Sequence, residues 1–335
     1  MNNTQSNTAT EPRPVQRPAL RLINTKTLSR EAWLGVRRQG IGSSDAAAAV
    51  GLNPYQSPLA LWLNKTGRAD GFTPSVDEST DPLYWGTMLE NFVAAHYSRK
   101  TGHRVRKLNA VLQHPEYPWM LANIDREVIG VREVQLLECK TAGLHGARLW
   151  QDGVPEYVQL QVQHQLAVTG KDAADVAVLL CGNDFRHYRL PRDEEVIGRL
   201  IELEYQFWRH VETDTPPPAD GSESAGRALQ QLYPDATSDM LDFSDDTEMS
   251  ACFSDLLAIR ARLDEQERME SQLKQRIQER LGHAGGARFS QGEVRWRRSK
   301  DSQTLDVARL LKEQPELLAS YPLIRPGSRR FLVSA

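Results

Sequence analysis

Asp125 lies thirteen residues before Glu138, in Ala122-Asn123-Ile124-Asp125-Arg126, and Lys140 follows in Leu136-Leu137-Glu138-Cys139-Lys140. If both stretches are strands of one hairpin turning near Gly130, the alternation of side chains puts Glu138 and Lys140 on one face, where Asp125 can meet them. Paired carboxylates favour a hard divalent cation such as Mg2+. A neighbouring ammonium can orient a water or offset charge building on a phosphoryl oxygen. That combination suits metal-assisted phosphodiester hydrolysis. The same triplet also occurs on solvated strand faces, so its surroundings must decide between the two readings.

A chain of 335 residues, 40% hydrophobic and 25% charged, can bury the core of one large domain with room for an appendage. Cys139, Cys181 and Cys252 are widely spaced and form no Cys-X-X-Cys pair, which argues against a disulfide framework or a zinc site. No apolar run is long enough to span a bilayer, and the N-terminus has no signal-peptide core, so a soluble, cytoplasmic protein is expected. The net charge of -3 means that any nucleic-acid contact relies on local basic patches.

The elements follow from periodicity and caps. Residues 1–22 read as a disordered leader. Ser29 caps a short helix bearing Trp33, Val36 and Arg37. Gly40-Ile41-Gly42-Ser43-Ser44 then turns into an alanine-rich helix, where Ser44 is either a plain N-cap or, with Arg37, part of a phosphate pocket at a helix N-terminus. A helix from Pro58 stops at Gly67, and residues 68–82 form a polar loop. Residues 86–99 form an amphipathic helix with Leu89, Phe92, Val93, His96 and Tyr97 on its apolar face. Glu90 borders that face, solvated unless the fold brings it to Asp125. Lys100, His103, Arg104, Arg106 and Lys107 form a basic patch that faces water or grips backbone phosphates.

Pro155 opens a helix ending at Gly170, on which Tyr157, Gln161, His164 and Val168 share a face. Gln161 is therefore aimed inward in search of a partner, or lies on the surface. Two strands and a helix over 193–211 close the first domain, expected over 23–215, before Pro216-Pro217-Pro218. Residues 216–250 read as linker. Residues 251–335 read as a helical arm, over 251–281, plus a small basic β region around Val294-Arg295-Trp296-Arg297-Arg298-Ser299-Lys300.

Several ordered motifs together resemble the phage-type recombination exonucleases of the lambda exonuclease and YqaJ group, within the PD-(D/E)XK nuclease superfamily. They are Trp33-Leu34-Gly35-Val36-Arg37, Gly40-Ile41-Gly42-Ser43-Ser44-Asp45, Trp85-Gly86-Thr87-Met88-Leu89-Glu90, Asp125, Glu138-Cys139-Lys140 and Gln161-Val162-Gln163-His164. The resemblance runs from Trp33 to about Trp208. It implies an α/β fold with a PD-(D/E)XK core, a central mixed β-sheet flanked by helices, to which a C-terminal helical and small β appendage is joined.

By that resemblance Asp125, Glu138 and the carbonyl of Cys139 hold Mg2+, with Mn2+ as a substitute. Glu90 helps hold a second ion or its water, and Lys140 orients or activates the attacking water. Arg37, Ser44, Asn123 and Gln161 would line a pocket for a 5′-phosphate, Asn123 standing where the family has a serine. Leu83 matches an apolar wedge that splits the duplex end. Arg126 stands where the family usually has glycine, which reads as a change in turn geometry.

The implied activity is 5′ to 3′ digestion of double-stranded DNA from its ends, leaving 3′ single-stranded tails for an annealing protein. A homotrimeric ring in a bacterial host cell, encoded by a phage or prophage, belongs to the same picture. An endonuclease on the same core, or a non-catalytic DNA-end or recombinase-loading module, are the alternatives.

Overall fold

The computed structural model describes residues 19–69, 82–323, 327 and 329–334. Most of the leader expected over 1–22, and most of the loop expected over 68–82, lie outside the described residues. The described chain divides into two compact units, Met1–Pro234 and Asp235–Ala335.

The first unit opens with β1 (Leu20–Asn24) and α1 (Arg30–Arg37). As expected, Ser29 caps α1, its hydroxyl accepting the N–H of Ala32 at 3.2 Å. Gly40 leads into β2 (Ile41–Gly42). A Cβ at Gly40 would lie 2.5 Å from the Trp119 carbonyl oxygen, so only glycine fits this approach. A single turn over Ser43–Asp45 joins β2 to α2 (Ala46–Ala49). Then come α3 (Pro58–Lys65), with proline in its first turn, and α4 (Pro82–Thr101).

Six strands and one helix follow: β3 (Arg104–Lys107), β4 (Ala110–Gln113), β5 (Met120–Asn123), β6 (Arg126–Ile129), β7 (Leu136–Ala142), α5 (Glu156–Thr169) and β8 (Ala173–Leu180). Next are β9 (Asp184–Pro191), α6 (Glu194–Glu212) and α7 (Glu223–Leu232).

Among the described residues these strands form two mixed sheets, ordered β1-β4-β5-β2 and β3-β6-β7-β8-β9. The crossover from β7 to the parallel β8 runs through α5, the usual way to join parallel neighbours. β8 carries an unbroken apolar run over Val176–Leu180, as suits a strand inside the sheet, whereas the run in β7 is only Leu136-Leu137, before Glu138 and Lys140. The larger core cluster gathers Ile41, Trp62, Met120, Val162, Val176 and Phe207, among others. This is the mixed α/β architecture with flanking helices that the resemblance implied.

One helix face differs from the sequence reading. On α4 the buried residues are Val93, Ala94 and Tyr97, whereas Phe92 is 69% exposed and His96 is also exposed. The helix lies on the sheet through the Val93–Tyr97 edge of its apolar arc, where Tyr97 hydroxyl donates to Asp175 at 2.6 Å. Residues past Pro216 include α7, which packs on α3. The Ser57 N–H donates to Ser224 Oγ at 3.0 Å, and Gln231 donates to the Arg68 carbonyl at 2.9 Å.

The second unit contains α8 (Thr247–Leu281), the hairpin β10 (Gly286–Phe289) and β11 (Gly292–Arg295), and the short helices α9 (Val307–Glu313) and α10 (Glu316–Ser320). Asp246 caps α8, accepting from the Met249 N–H at 3.0 Å, and no residue of that helix is buried. The basic strand expected over 294–300 ends earlier, at Arg295.

Candidate active site

β6 and β7 form an antiparallel hairpin, with Arg126 opposite Leu137 and Glu127 opposite Leu136, but of the stretch Ala122–Arg126 expected on it only Arg126 belongs to β6, since Ala122 and Asn123 lie on β5 of the other sheet. Continuing that register by one rung would place Asp125 opposite Glu138. The ladder stops there instead. Asp125 Oδ2 accepts the backbone N–H of Cys139 at 2.9 Å, so a carboxylate takes the donor that a further strand rung would have used. The N–H and carbonyl of one strand residue point to the same edge, and the Cys139 carbonyl therefore also faces Asp125. The Cys139 thiol lies on the other face of the strand, packed against the smaller apolar cluster of Val93, Tyr97 and Leu137.

Glu138 is buried on β7 and held from three sides. Oε1 accepts from Gln161 Nε2 at 2.6 Å and pairs with Lys140 Nζ at 2.7 Å, while Oε2 accepts from Gln165 Nε2 at 2.7 Å. Lys140 Nζ also donates to Gln161 Oε1 at 2.8 Å. One amide thus orients both charged groups, its NH2 on the carboxylate and its oxygen on the ammonium. The inward face read for α5 is the face that does this. Gln161 and Gln165 are one turn apart and point the same way.

Glu90, from α4, faces this cluster but is engaged by cations. Its Oε1 pairs with Arg126 Nη1 and lies 3.6 Å from Lys107 Nζ. Arg126 is 5% exposed, and its guanidinium also donates to Asn91 Oδ1 at 2.7 Å and to the Asp125 carbonyl at 2.6 Å. It opens strand β6, so its effect is this clamp and not the altered turn read from the sequence.

The candidate phosphate residues sit at the ends of two parallel neighbours. Ile41 and Gly42 of β2 pair with Met120 and Leu121 of β5, and Ser44 and Asn123, both exposed, follow at the C-terminal ends of the two strands. Arg37 Nη2 donates to Ser44 Oγ at 2.8 Å and to Asp45 Oδ1 at 2.7 Å, and its guanidinium lies 4.9 Å from the Trp33 ring centroid. Asp45 is anchored in turn by Lys65 Nζ at 2.6 Å and by the Gly42 N–H at 3.0 Å. Helix α5 packs against this turn. Gln161 is turned to Glu138 and Lys140. Leu83 falls in the first turn of α4, and its side chain lies outside the described residues.

Electrostatics shows what the cluster lacks. Burial, then the charges of Glu138 and Glu90, push the Asp125 carboxyl up to about 8, against the weaker pull of the Cys139 N–H and Lys140. Burial would lower the Lys140 ammonium, but Glu138 outweighs it and the net shift is upward, so the amine stays charged. The Asp125 end is therefore short of positive charge. Among the described residues no group of three or more His, Cys, Asp or Glu side chains converges to hold an ion by itself. Two carboxylates and a carbonyl nevertheless fit a hard ion such as Mg2+, which keeps several positions for water and substrate oxygens. Asp125, the Cys139 carbonyl and the remaining lone pair of Glu138 Oε2 are the groups that could hold it.

Sequence reasoning missed Gln165, Arg126 and Lys65. Gln165 was legible, since it follows Gln161 by one helical turn. The partners of Arg126 and Lys65 are 36 and 20 residues away in the chain, and no local pattern announces them.

The family model of the YqaJ-like viral recombinase domain matches residues 32–172. An uncharacterized YqaJ protein of Bacillus subtilis (strain 168) is 39% identical over 216 residues, covering 63% of this chain. The chain spans 66% of that relative's length, just under two thirds. Among solved structures, an alkaline exonuclease from Laribacter hongkongensis is similar at 20% identity and a TM-score of 0.46, covering 55% of this chain and 93% of that one. A phage related exonuclease from Haemophilus somnus 129PT is similar at 12% identity and a TM-score of 0.36, covering 54% and 97%. Residues 32–172 are thus similar to the YqaJ-like viral recombinase domain, and over 216 residues the chain is similar to the Bacillus subtilis protein.

Proposed function

We propose that the chain is a metal-dependent DNA nuclease that digests double-stranded ends in the 5′ to 3′ direction and leaves 3′ single-stranded tails for recombination by annealing. The observation that carries this reading is the corner in which Asp125 Oδ2 accepts the Cys139 N–H at 2.9 Å while Glu138 and Lys140, 2.7 Å apart, are both held by Gln161. Mg2+, or Mn2+ in its place, would be held by Asp125, Glu138 and the Cys139 carbonyl, and would supply Lewis-acid stabilisation of the phosphoryl oxygens and a more acidic water.

The protein's own groups do the rest. Lys140 remains an ammonium, so it donates a hydrogen bond to the attacking water or to a phosphoryl oxygen and does not act as the base. Gln161 fixes the distance between that ammonium and Glu138, a form of preorganisation that removes reorientation from the reaction. Arg37 and Ser44, with Asn123 at the neighbouring strand end, offer donors for a terminal 5′-phosphate and would favour starting at ends. A homotrimeric ring and a single-strand annealing partner, in the cytoplasm of a bacterial host, rest on the family resemblance.

The test is digestion of a linear duplex labelled at either end, with Mg2+ or with EDTA. Metal-dependent release of the 5′ label as mononucleotides, lost in Lys140→Ala, is the expected result. Cutting of closed circular DNA would replace this reading with an endonuclease. Binding of ends without digestion would replace it with a loading module.

A further inference from the structure

We infer that Arg126 takes the place of a second metal ion, so that each chain holds a single divalent cation. This rests on the nuclease reading and concerns how its site is populated. A second ion would need Glu90 as a ligand, sharing Asp125 with the first, since Glu90 is the further carboxylate whose charge acts on Asp125. Glu90 Oε1 is instead paired with the Arg126 guanidinium, which is buried and locked by two further acceptors, Asn91 Oδ1 at 2.7 Å and the Asp125 carbonyl at 2.6 Å. Lys107 Nζ approaches the same Glu90 oxygen at 3.6 Å.

The placing of the charges points the same way. Asp125, Glu138 and Glu90 face Arg126, Lys107 and Lys140, so the cations already present are distributed unequally. Two sit on Glu90, and the third sits on Glu138 at 2.7 Å. None is paired with the Asp125 carboxylate. One divalent ion at Asp125 and Glu138 would fill the deficit. A second one beside Glu90 would meet the Arg126 guanidinium, with like charges a few ångströms apart. Arg126 is a positioning residue in this arrangement. It holds Glu90 and the Asp125 backbone.

The experiment counts bound Mn2+ on the full chain by electron paramagnetic resonance of the free ion, in the absence of DNA. One ion per chain is expected in the protein as it is, and still one in Glu90→Gln, with Kd moved by less than about tenfold because the removed carboxylate is not a ligand. Arg126→Gly is expected to gain a second bound ion, which Glu90→Gln in the same chain then removes. A purely structural role for Arg126 would not add an ion. Two ions in the unchanged protein, loss of the first in Glu90→Gln, or no second ion in a folded Arg126→Gly would overturn the inference and leave the nuclease reading standing. No bound ion, together with no metal-dependent cleavage, would overturn both. If Arg126→Gly does not fold, the unchanged protein and Glu90→Gln still decide.

Discussion

Asp125 Oδ2 sits 2.9 Å from the backbone nitrogen of Cys139, where a strand partner would otherwise stand. The chain leaves one sheet at β5 and enters the other at β6 through this residue. The carboxylate closes the gap by bonding to the edge of β7, and that places it beside Glu138. The acidic corner is thus a product of how the β-ladder ends.

Its pH dependence follows. The Asp125 carboxyl rises from an ordinary 3.8 to about 8 on folding, so between these values the folded chain binds more protons than the unfolded one. Stability from this group is then lost as pH climbs through that window. Without metal, the thermal midpoint is expected to fall between about pH 5 and about pH 8, and less so in Asp125→Asn. Added Mg2+ should raise the midpoint more at the upper end, where the ligand is deprotonated. Identical pH profiles for the two proteins in EDTA would contradict the assignment.

Gln165 holds the second oxygen of Glu138 without facing Lys140. Gln165→Leu is expected to weaken Mn2+ binding by about 10–100-fold, as for groups that orient a ligand from behind. A titration with Mn2+ reads this directly, and unchanged affinity would show that Glu138 is oriented by Gln161 and Lys140 alone.

Asp45 ties the candidate phosphate turn to α3. Burial opposes its ionisation, but Lys65 and Arg37 prevail and hold the carboxyl down at about 2. Its contribution to stability is present above an ordinary carboxylate pKa and is lost as pH falls from about 4 toward 2. Asp45→Asn strands the buried Lys65 ammonium and is expected to cost about 3–5 kcal/mol in urea unfolding. A loss below about 1 kcal/mol would mean that Lys65 finds water or sheds its proton.

His164 and Glu204 form a fully buried pair at 2.8 Å that joins α5 to α6, and His164 also bonds the Leu121 carbonyl at 2.9 Å. Glu204 Oε2 has no hydrogen-bond partner among the described residues. Removing either member alone is expected to cost about 3–5 kcal/mol, and replacing both with apolar residues much less than the sum. A double-mutant cycle by chemical denaturation measures the difference. Additive losses would show that each group serves a separate contact.

Much of this arrangement was legible from local rules. The hairpin register follows from alternation on either side of Gly130. The start of α1 follows from Ser29, and the end of α5 from Gly170, whose φ of +67° is the left-handed form glycine favours. The inward aim of Gln161 followed from its helical face. Contacts that depend on how separate elements meet were not legible. Arg126 looked like a turn substitution because its partner Glu90 arrives on α4. Phe92 looked like core because an apolar arc does not state which of its edges the sheet will cover.

The seam at Asp125 has a mechanical meaning. β5 carries Asn123 in one sheet and β7 carries Glu138 in the other, with Ile124 and Asp125 as the covalent hinge after β5. An opening between the sheets would stretch the Asp125–Cys139 contact, and with it the spacing of the two carboxylates. A cation held there would act as a rivet across the hinge, and a load on either sheet would be felt as a change in its grip.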